Sequence, residues 1–331
     1  MMMDQAENLR NIIRQQNQNS ITNARVIAVT SGKGGVGKSN LSVNLALEFT
    51  RMGKKVIILD ADFGLANVEV MFGVIPEYNL SDLMFKGKEI KDIITEGPEG
   101  VGFISGGSGI ANLVNLDQEQ IKRLVNKLSD LEALADIIII DTGAGISPSV
   151  MEFLLSSPET IIVTTPEPTS VTDSYALLKA LSMNENYKSE ECTIRMVANR
   201  VDSESEGKNL YDKLNAVVTQ FLGINMEYLG SVPQDSNVRK AVMKQKPVTI
   251  VYPNSFAARH FRYIAEELLG NEGDPARCRC TIQQKIPRRA DSEAGRSHRV
   301  RERKNQPEYR SKIQRPQPEY CQKSGENHRG Q

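Results

Sequence analysis

The chain has 331 residues, of which 39% are hydrophobic and 25% are charged, and its formal net charge is zero. This apolar content is enough for a sizeable core, so the composition excludes a chain that is disordered along most of its length. No apolar run reaches the roughly 18 residues of a membrane span, and the N terminus lacks the apolar segment of a secretory signal. We therefore expect a cytoplasmic protein.

Charge and cysteine are unevenly distributed along the chain. Residues 271–331 hold 15 Lys and Arg against 8 Asp and Glu, which leaves 26 against 33 for residues 1–270. Cys192 is the only cysteine of residues 1–270, which suits a reducing compartment and argues against a disulfide framework. The composition predicts three parts: an N-terminal segment (1–23), an acidic globular domain (24–270) and a basic tail (271–331).

The N-terminal segment contains "DQAENLRNIIRQ" at 4–15. Asp4 and Glu7 have capping-box spacing, and three apolar residues fall on one helical face: Ala6, Leu9 and Ile13. A polar linker separates this stretch from the domain. A frayed terminus is one interpretation, but the apolar stripe favours a helix that docks on a partner.

Residues 24–270 alternate β-branched apolar runs with segments of helical periodicity. The apolar runs lie at 25–30, 55–60, 101–105, 136–141, 160–165, 193–200 and 226–233. This alternation predicts an α/β fold with a doubly wound, mostly parallel sheet and helices on both faces. The stretch "NSFAARHFRYIAEELLG" predicts a last amphipathic helix that packs on the sheet and ends at Gly270.

The stretch "TSGKGGVGKSN" at 30–40 fits the phosphate-loop pattern G-x-x-x-x-G-K-[ST], placed between the first strand and a helix. Glycine amides and the helix N terminus favour phosphates, Lys38 reaches the β- and γ-phosphates, and the Ser39 hydroxyl suits Mg²⁺. The motif therefore predicts binding of ATP and Mg²⁺. The predicted nucleotide-binding residues of the loop are Gly32, Lys33, Gly34, Gly35, Val36, Gly37, Lys38, Ser39 and Asn40.

Acidic residues end two predicted strands. Asp141 follows "IIII", as in a Walker-B strand, and Asp60 and Asp62 follow "VIIL". Ligands of open α/β sheets bind at this carboxyl edge. We expect Ser39, Asp141 and Asp60 at the metal, and Asp62 as the residue that orients the attacking water. Either Asp60 or Asp62 could instead be only a cap or a surface residue.

These motifs together resemble the deviant Walker A ATPases, the family of the division-site ATPase MinD, the ParA partition ATPases and the nitrogenase iron protein. "KGGVGKS" resembles the family's phosphate loop, and "DADFGLANVEVMFG" and "DTGAGIS" resemble the switch regions of MinD. In this family the extra lysine crosses an ATP-bound homodimer, so the resemblance implies that Lys33 acts in trans beside the catalytic residues Lys38 and Asp62. It also implies nucleotide contacts from Asn199, Arg200, Pro233 and Asp235.

The stretch "DQAENLR" resembles the DQAxxLR element of the FlhG (YlxH or FleN) branch, which controls flagellar number and placement. In that branch the element stimulates the GTPase of FlhF, an SRP-type protein. The resemblance implies FlhF and components of the flagellar switch complex (C-ring) as partners. The implied partner-activating residues are Asp4, Gln5, Ala6, Leu9 and Arg10.

The tail, residues 271–331, leaves several alternatives open. It shows almost no apolar periodicity, which predicts disorder. It also lacks the amphipathic helix with which the resemblance implies peripheral binding to the inner face of the cell membrane. Its basic charge is the only support for DNA binding, as in a ParA-type partition ATPase, and the acidic domain argues against that alternative. An iron protein is not predicted, because no cysteine lies between Asp60 and Asp141.

Overall fold

Eight strands form one sheet in the order β3-β4-β2-β5-β1-β6-β7-β8. The computed structural model describes residues 24–63, 65–107, 116 and 118–270. The strands are β1 Arg25–Ser31, β2 Val56–Ala61, β3 Thr95–Glu96, β4 Gly102–Ile104, β5 Ile137–Ala144, β6 Glu159–Thr164, β7 Thr193–Val201 and β8 Met226–Pro233. All neighbouring strands are parallel except β3 and β4.

Helices follow most of the parallel strands. The α-helices of the described residues are α1 Lys38–Arg51, α2 Asn67–Phe72, α3 Leu80–Phe85, α4 Gln118–Leu128, α5 Pro148–Ser156, α6 Pro168–Ser182, α7 Glu204–Leu222, α8 Ser236–Met243, α9 Val248–Val251 and α10 Phe256–Gly270. Short 3₁₀ turns lie at Ile90–Ile93, Pro98–Gly100, Ser129–Ala133 and Ser189–Glu191. Within these residues no helix has both the length and the hydropathy to cross a membrane.

Each buried strand supplies side chains to two cores, one on each face of the sheet. In β5, Ile138 and Ile140 belong to one core, while Ile137 and Ile139 belong to the other. Successive side chains of a strand point to opposite faces, so a continuous apolar run fits a strand that is covered on both sides. One core contains residues of α3 to α7, and the other contains residues of α1, α2 and α8 to α10.

The predicted fold class and all seven predicted strands are confirmed. The predicted last helix is also confirmed as a core helix, because Phe261, Ile264 and Leu268 of α10 are buried against the sheet. The sequence did not predict β3, since a strand of two residues has no detectable period. The predicted N-terminal helix and basic tail lie outside the described residues, and the three-part division stays a prediction.

A charged network joins the first residues of several strands. Glu159 on β6 accepts hydrogen bonds from Arg25 on β1 at 2.7 and 2.9 Å, and it also pairs with Arg195 on β7. The Arg195 side chain is 3% exposed, and its Nε donates to Glu227 Oε2 on β8 at 2.9 Å. Arg25 also donates to the carbonyl of Leu268 at 2.5 Å, near the end of α10. The network therefore ties the last helix to the centre of the sheet.

Replacing Glu159 by glutamine is expected to destabilise the protein at neutral pH by roughly 3 kcal/mol, because two poorly exposed guanidinium groups lose their shared carboxylate. Burial raises the pKa of Glu159, but Arg25 and Arg195 lower it further, to below its ordinary 4.5. The stabilisation by the ion pairs is therefore fully present above the ordinary glutamate pKa of 4.5, and it is lost as pH falls through the lower pKa of the folded state. Urea unfolding of parent and variant over a pH series measures the difference.

The control for this variant is Glu227→Gln, since the Glu227 side chain is 42% exposed. It should change the free energy of unfolding by less than about 1 kcal/mol. If the difference between Glu159→Gln and the parent stays constant down to about pH 3, well below the ordinary glutamate pKa, the assigned role of the ion pairs is wrong.

Candidate functional site

The phosphate loop runs from the end of β1 to the first residue of α1, at the centre of the sheet. Gly35 and Gly37 have positive φ angles of 76° and 103°, a conformation that glycine adopts without strain. Gly37 is the N-cap of α1, and its carbonyl accepts the Leu41 amide at 3.0 Å. Lys38 begins the helix and is only 7% exposed. The loop amides and the helix N terminus thus form a site for an anion.

Asn199 and Arg200, at the end of β7, brace this loop. The Asn199 amide donates to the Val36 carbonyl at 2.6 Å, and the Arg200 guanidinium donates to the Gly35 carbonyl at 2.7 Å. A side chain at Gly37 would overlap the Asn199 amide. Two of the predicted nucleotide-contact residues, Asn199 and Arg200, therefore lie against the loop, where they fix the backbone of the phosphate site.

A cavity of about 390 Å³ opens beside Gly37 and Asn40. It brings together the predicted nucleotide residues Gly37, Asn40, Asn199, Arg200, Pro233 and Asp235, and it is also lined by Val232, Gln234, Val238, Arg239, Val242 and Phe261. A mainly apolar cleft with a few polar groups suits a planar base. The Asp235 carboxylate already accepts the amides of Asn237 at 2.8 Å and Ala257 at 3.2 Å, so it caps helices at the edge of the cavity.

Asp141 lies fully buried in the second half of β5, behind the first turn of α1. Its Oδ1 accepts a hydrogen bond from the Ser42 hydroxyl at 3.0 Å. Burial raises its pKa to about 6, against the opposing effects of the Ser39 hydroxyl, the Lys38 ammonium and the Ser42 hydroxyl. Among the described residues, Oδ2 has no hydrogen-bond partner.

The donor set around Asp141 fits Mg²⁺. A buried carboxylate oxygen without a partner is costly, and an ion or an ion-bound water offers it one. Ser39 and Asp141 both supply oxygen, the ligand atom that Mg²⁺ prefers. Ser39 and Asp141 would hold the ion, which would neutralise charge on the phosphates of a bound nucleotide.

Asp60 lies within β2, near the end of the strand, and Asp62 follows that strand. Asp60 is completely buried, and its two oxygens accept the amides of Asp62 at 3.2 Å and Val68 at 3.1 Å. Burial and the negative charge of Asp141 raise its pKa well above the ordinary value. Asp60 thus caps α2, which is the alternative that the sequence left open, and its place at the metal stays a prediction.

Asp62 follows β2 at the carboxyl edge of the sheet and is partly exposed. Its Oδ2 accepts from the Asn67 amide at 3.3 Å, and its carboxylate lies beside Gly143 at the end of β5. The two predicted switch segments therefore meet at this carboxylate. The position is compatible with the predicted orientation of a water, and that role stays a prediction.

Lys33 forms an ion pair within its own chain. Its Nζ donates to Glu167 Oε2 at 2.8 Å and to the Thr169 hydroxyl at 2.7 Å, at the start of α6. The hydrogen bond and charge of Lys33 hold the pKa of Glu167 below its ordinary value. The side chains of Lys33 and Glu167 are 35% and 54% exposed. A pair this exposed is weak and exchanges readily for another partner.

Sequence reasoning did not identify Ser42, Glu167 or Thr169. Ser42 reads as an ordinary position of an amphipathic helix, and only its burial against Asp141 distinguishes it. Glu167 and Thr169 follow a strand in "TPEPT", so their place at the carboxyl edge was a usable signal. The predicted partner-activating residues lie outside the described part of the chain.

Comparisons with known proteins identify the family to which this chain is similar. Residues 22–269 match the ParA family model, described as NUBPL iron-transfer P-loop NTPase. The antiactivator FleN of Pseudomonas aeruginosa is 41% identical over 244 residues, which cover 74% of this chain and 86% of FleN. The flagellum site-determining protein YlxH of Helicobacter pylori is 35% identical over 270 residues, which cover 80% and 90% of the two chains.

A solved structure shares the architecture. The septum site-determining protein MinD of Pyrococcus horikoshii, in complex with Mg-ADP, is 26% identical, with a TM-score of 0.63 over 75% of this chain and 98% of that chain. The matched residues contain the whole phosphate loop and both acidic strand ends. The chain therefore belongs to the ParA family of P-loop NTPases and is related within it to FleN and YlxH.

Proposed function

We propose that this protein is a Mg²⁺-dependent ATPase that dimerises with ATP and acts as a molecular switch in the control of flagellar number and placement. The observation that carries the proposal is the phosphate loop, in which Lys38 begins α1 while a second lysine, Lys33, reaches away from it to the start of α6. The relatives named antiactivator and flagellum site-determining protein support the flagellar setting.

Each proposed role is assigned to a residue of the site described above. Lys38 would contact the phosphates from the buried end of the loop, while Ser39 and Asp141 would hold Mg²⁺. Asp62 aligns a water with the γ-phosphate at the meeting point of the two switch segments. Lys33 leaves Glu167 and contacts the nucleotide of a second protomer, where its charge stabilises the transition state. Hydrolysis removes the contact that joins the protomers, so the nucleotide state sets the oligomeric state.

The first experiment measures phosphate release and molar mass by light scattering, with ATP or ADP and with or without Mg²⁺. We expect a dimer with ATP and a monomer with ADP. Parental protein that neither hydrolyses ATP nor changes its molar mass would refute the switch.

We further propose that the N-terminal segment stimulates the GTPase of FlhF. Its sequence "DQAENLR" supports this role. The full-length chain should raise GTP hydrolysis by FlhF, and the double variant Gln5→Ala with Leu9→Ala should not, while Gln18→Ala in the polar linker should act like the parent. Equal stimulation by the double variant would remove the activation claim and leave the ATPase claim intact.

Partition or division-site positioning is the alternative function, supported by the likeness to MinD. A partition ATPase binds DNA nonspecifically through phosphate contacts, and that binding weakens with salt. A gel shift with ATP, with and without residues 271–331, tests this alternative. Salt-sensitive binding that survives removal of the tail would favour partition.

A further inference from the structure

Ser42 is a buried polar residue whose position in α1 is not explained by packing alone. Its side chain is 0% exposed, and a hydroxyl at such a position destabilises the protein unless it is hydrogen-bonded. The Ser42 Oγ lies 3.2 Å from the Lys38 carbonyl and 3.0 Å from Asp141 Oδ1. The hydroxyl has one proton, and a carboxylate is a stronger acceptor than a peptide carbonyl. The bond to Asp141 is therefore the one that we expect to dominate.

This bond fixes the orientation of the Asp141 carboxylate. With Oδ1 held by Ser42, the buried Oδ2 is the oxygen that stays without a partner among the residues that the structure describes. Ser39 lies three residues before Ser42, so the two hydroxyls project from the same side of the helix. The residue that offers a hydroxyl to Mg²⁺ and the residue that holds Asp141 are thus carried on one rigid element.

We propose that Ser42 is a positioning residue for the magnesium site: it holds Asp141 so that its second carboxylate oxygen faces the ion or a water on the ion. The inference rests on the proposed function, because it assumes that Ser39 and Asp141 hold Mg²⁺ beside a nucleotide. Outer partners of metal ligands change metal affinity by about 10- to 100-fold when they are removed. Ser42 acts through a carboxylate that is also buried, so we expect the lower end of that range.

The test is a Mg²⁺ titration of nucleotide binding to the full-length protein. Fluorescent mant-ATP is bound first in EDTA, which gives the Mg²⁺-independent affinity, and Mg²⁺ is then added to find the half-saturating concentration. For Ser42→Ala we expect an unchanged affinity in EDTA and a Mg²⁺ midpoint raised by about tenfold. Ser42→Thr keeps the hydroxyl and should restore most of the parental midpoint. Thermal unfolding in EDTA confirms that each variant is folded.

Ser157→Ala is the matched control. Ser157 is also 0% exposed, and its hydroxyl donates to the Phe153 carbonyl at 2.7 Å, a bond to the carbonyl four residues earlier, as in the contact of Ser42 with Lys38. If Ser42→Ala binds Mg²⁺ with the parental midpoint, or if Ser157→Ala raises the midpoint equally, the positioning role is overturned and the proposed function stands. If the parent binds no mant-ATP with or without Mg²⁺, the proposed function fails, and this inference fails with it.

Discussion

Lys33→Ala is expected to lose ATP-dependent dimerisation. It should also hydrolyse ATP on the order of 10³-fold more slowly, as an enzyme does when an arginine finger supplied in trans is removed. ATP binding should persist, because Lys38 and the loop amides are unchanged. Light scattering with ATP, phosphate release and mant-ATP binding measure the three properties separately. These measurements distinguish Lys33 from an ordinary phosphate-loop lysine, because removal of such a lysine would first weaken ATP binding.

Glu167→Gln is the control for the Lys33 variant. In the isolated chain Lys33 pairs with Glu167 and Thr169, and a second protomer would have to compete for the same ammonium group. Removing the carboxylate should leave hydrolysis intact and shift the dimerisation midpoint only a few-fold toward the dimer, since an exposed ion pair is weak. A Lys33→Ala protein that still dimerises with ATP at the parental concentration would contradict the trans assignment.

Asp62→Ala is expected to reduce ATP hydrolysis by about 10²- to 10⁴-fold, the range for loss of a group that positions a proton transfer in the transition state. The variant should still bind ATP and should accumulate as a dimer, because the nucleotide that joins the protomers is no longer consumed. Single-turnover phosphate release and light scattering over time report the two effects. Hydrolysis at the parental rate would exclude Asp62 as the orienting residue.

Two further substitutions separate Asp62 from its neighbours. Asn67→Ala removes the amide that contacts Asp62 at 3.3 Å, so hydrolysis should fall by less than in Asp62→Ala. Asp60→Asn replaces a buried carboxylate that accepts two backbone amides, so its main effect should be on the unfolding temperature. If Asp60→Asn stops Mg²⁺ binding in a protein of parental stability, the metal role predicted for Asp60 gains support over the capping role.

Much of the fold was predictable because its strands are buried on both faces. A stretch such as "DIIIID" is a continuous apolar run, which is the pattern of a strand covered on both faces. The helices between the strands have regular apolar spacing. The strand β3 was missed because Thr95 and Glu96 pair only with β4 and carry no pattern of their own. Strand order could not be read from the sequence, since local periodicity does not say which strands are neighbours.

The site was predictable where its chemistry is local. The phosphate loop is contiguous, so the places of Gly37, Lys38 and Ser39 follow from one motif. Asp60 shows the limit of that approach, because a carboxylate at a strand end has the same sequence signature whether it caps a helix or approaches a metal. The tertiary structure shows that its two oxygens accept the amides of Asp62 and Val68, which is the capping arrangement, while its metal role stays a prediction.

The sequence by itself determined the α/β class, the phosphate loop with its two lysines and the acidic strand ends, because each depends on residues that are adjacent or regularly spaced. Only the tertiary structure decided that Lys33 rests on Glu167, that Asn199 braces the loop and that Ser42 holds Asp141. These contacts join residues 99 to 163 positions apart. Their physical cause is the order of the sheet, which brings the carboxyl ends of β1, β5, β6 and β7 to one edge.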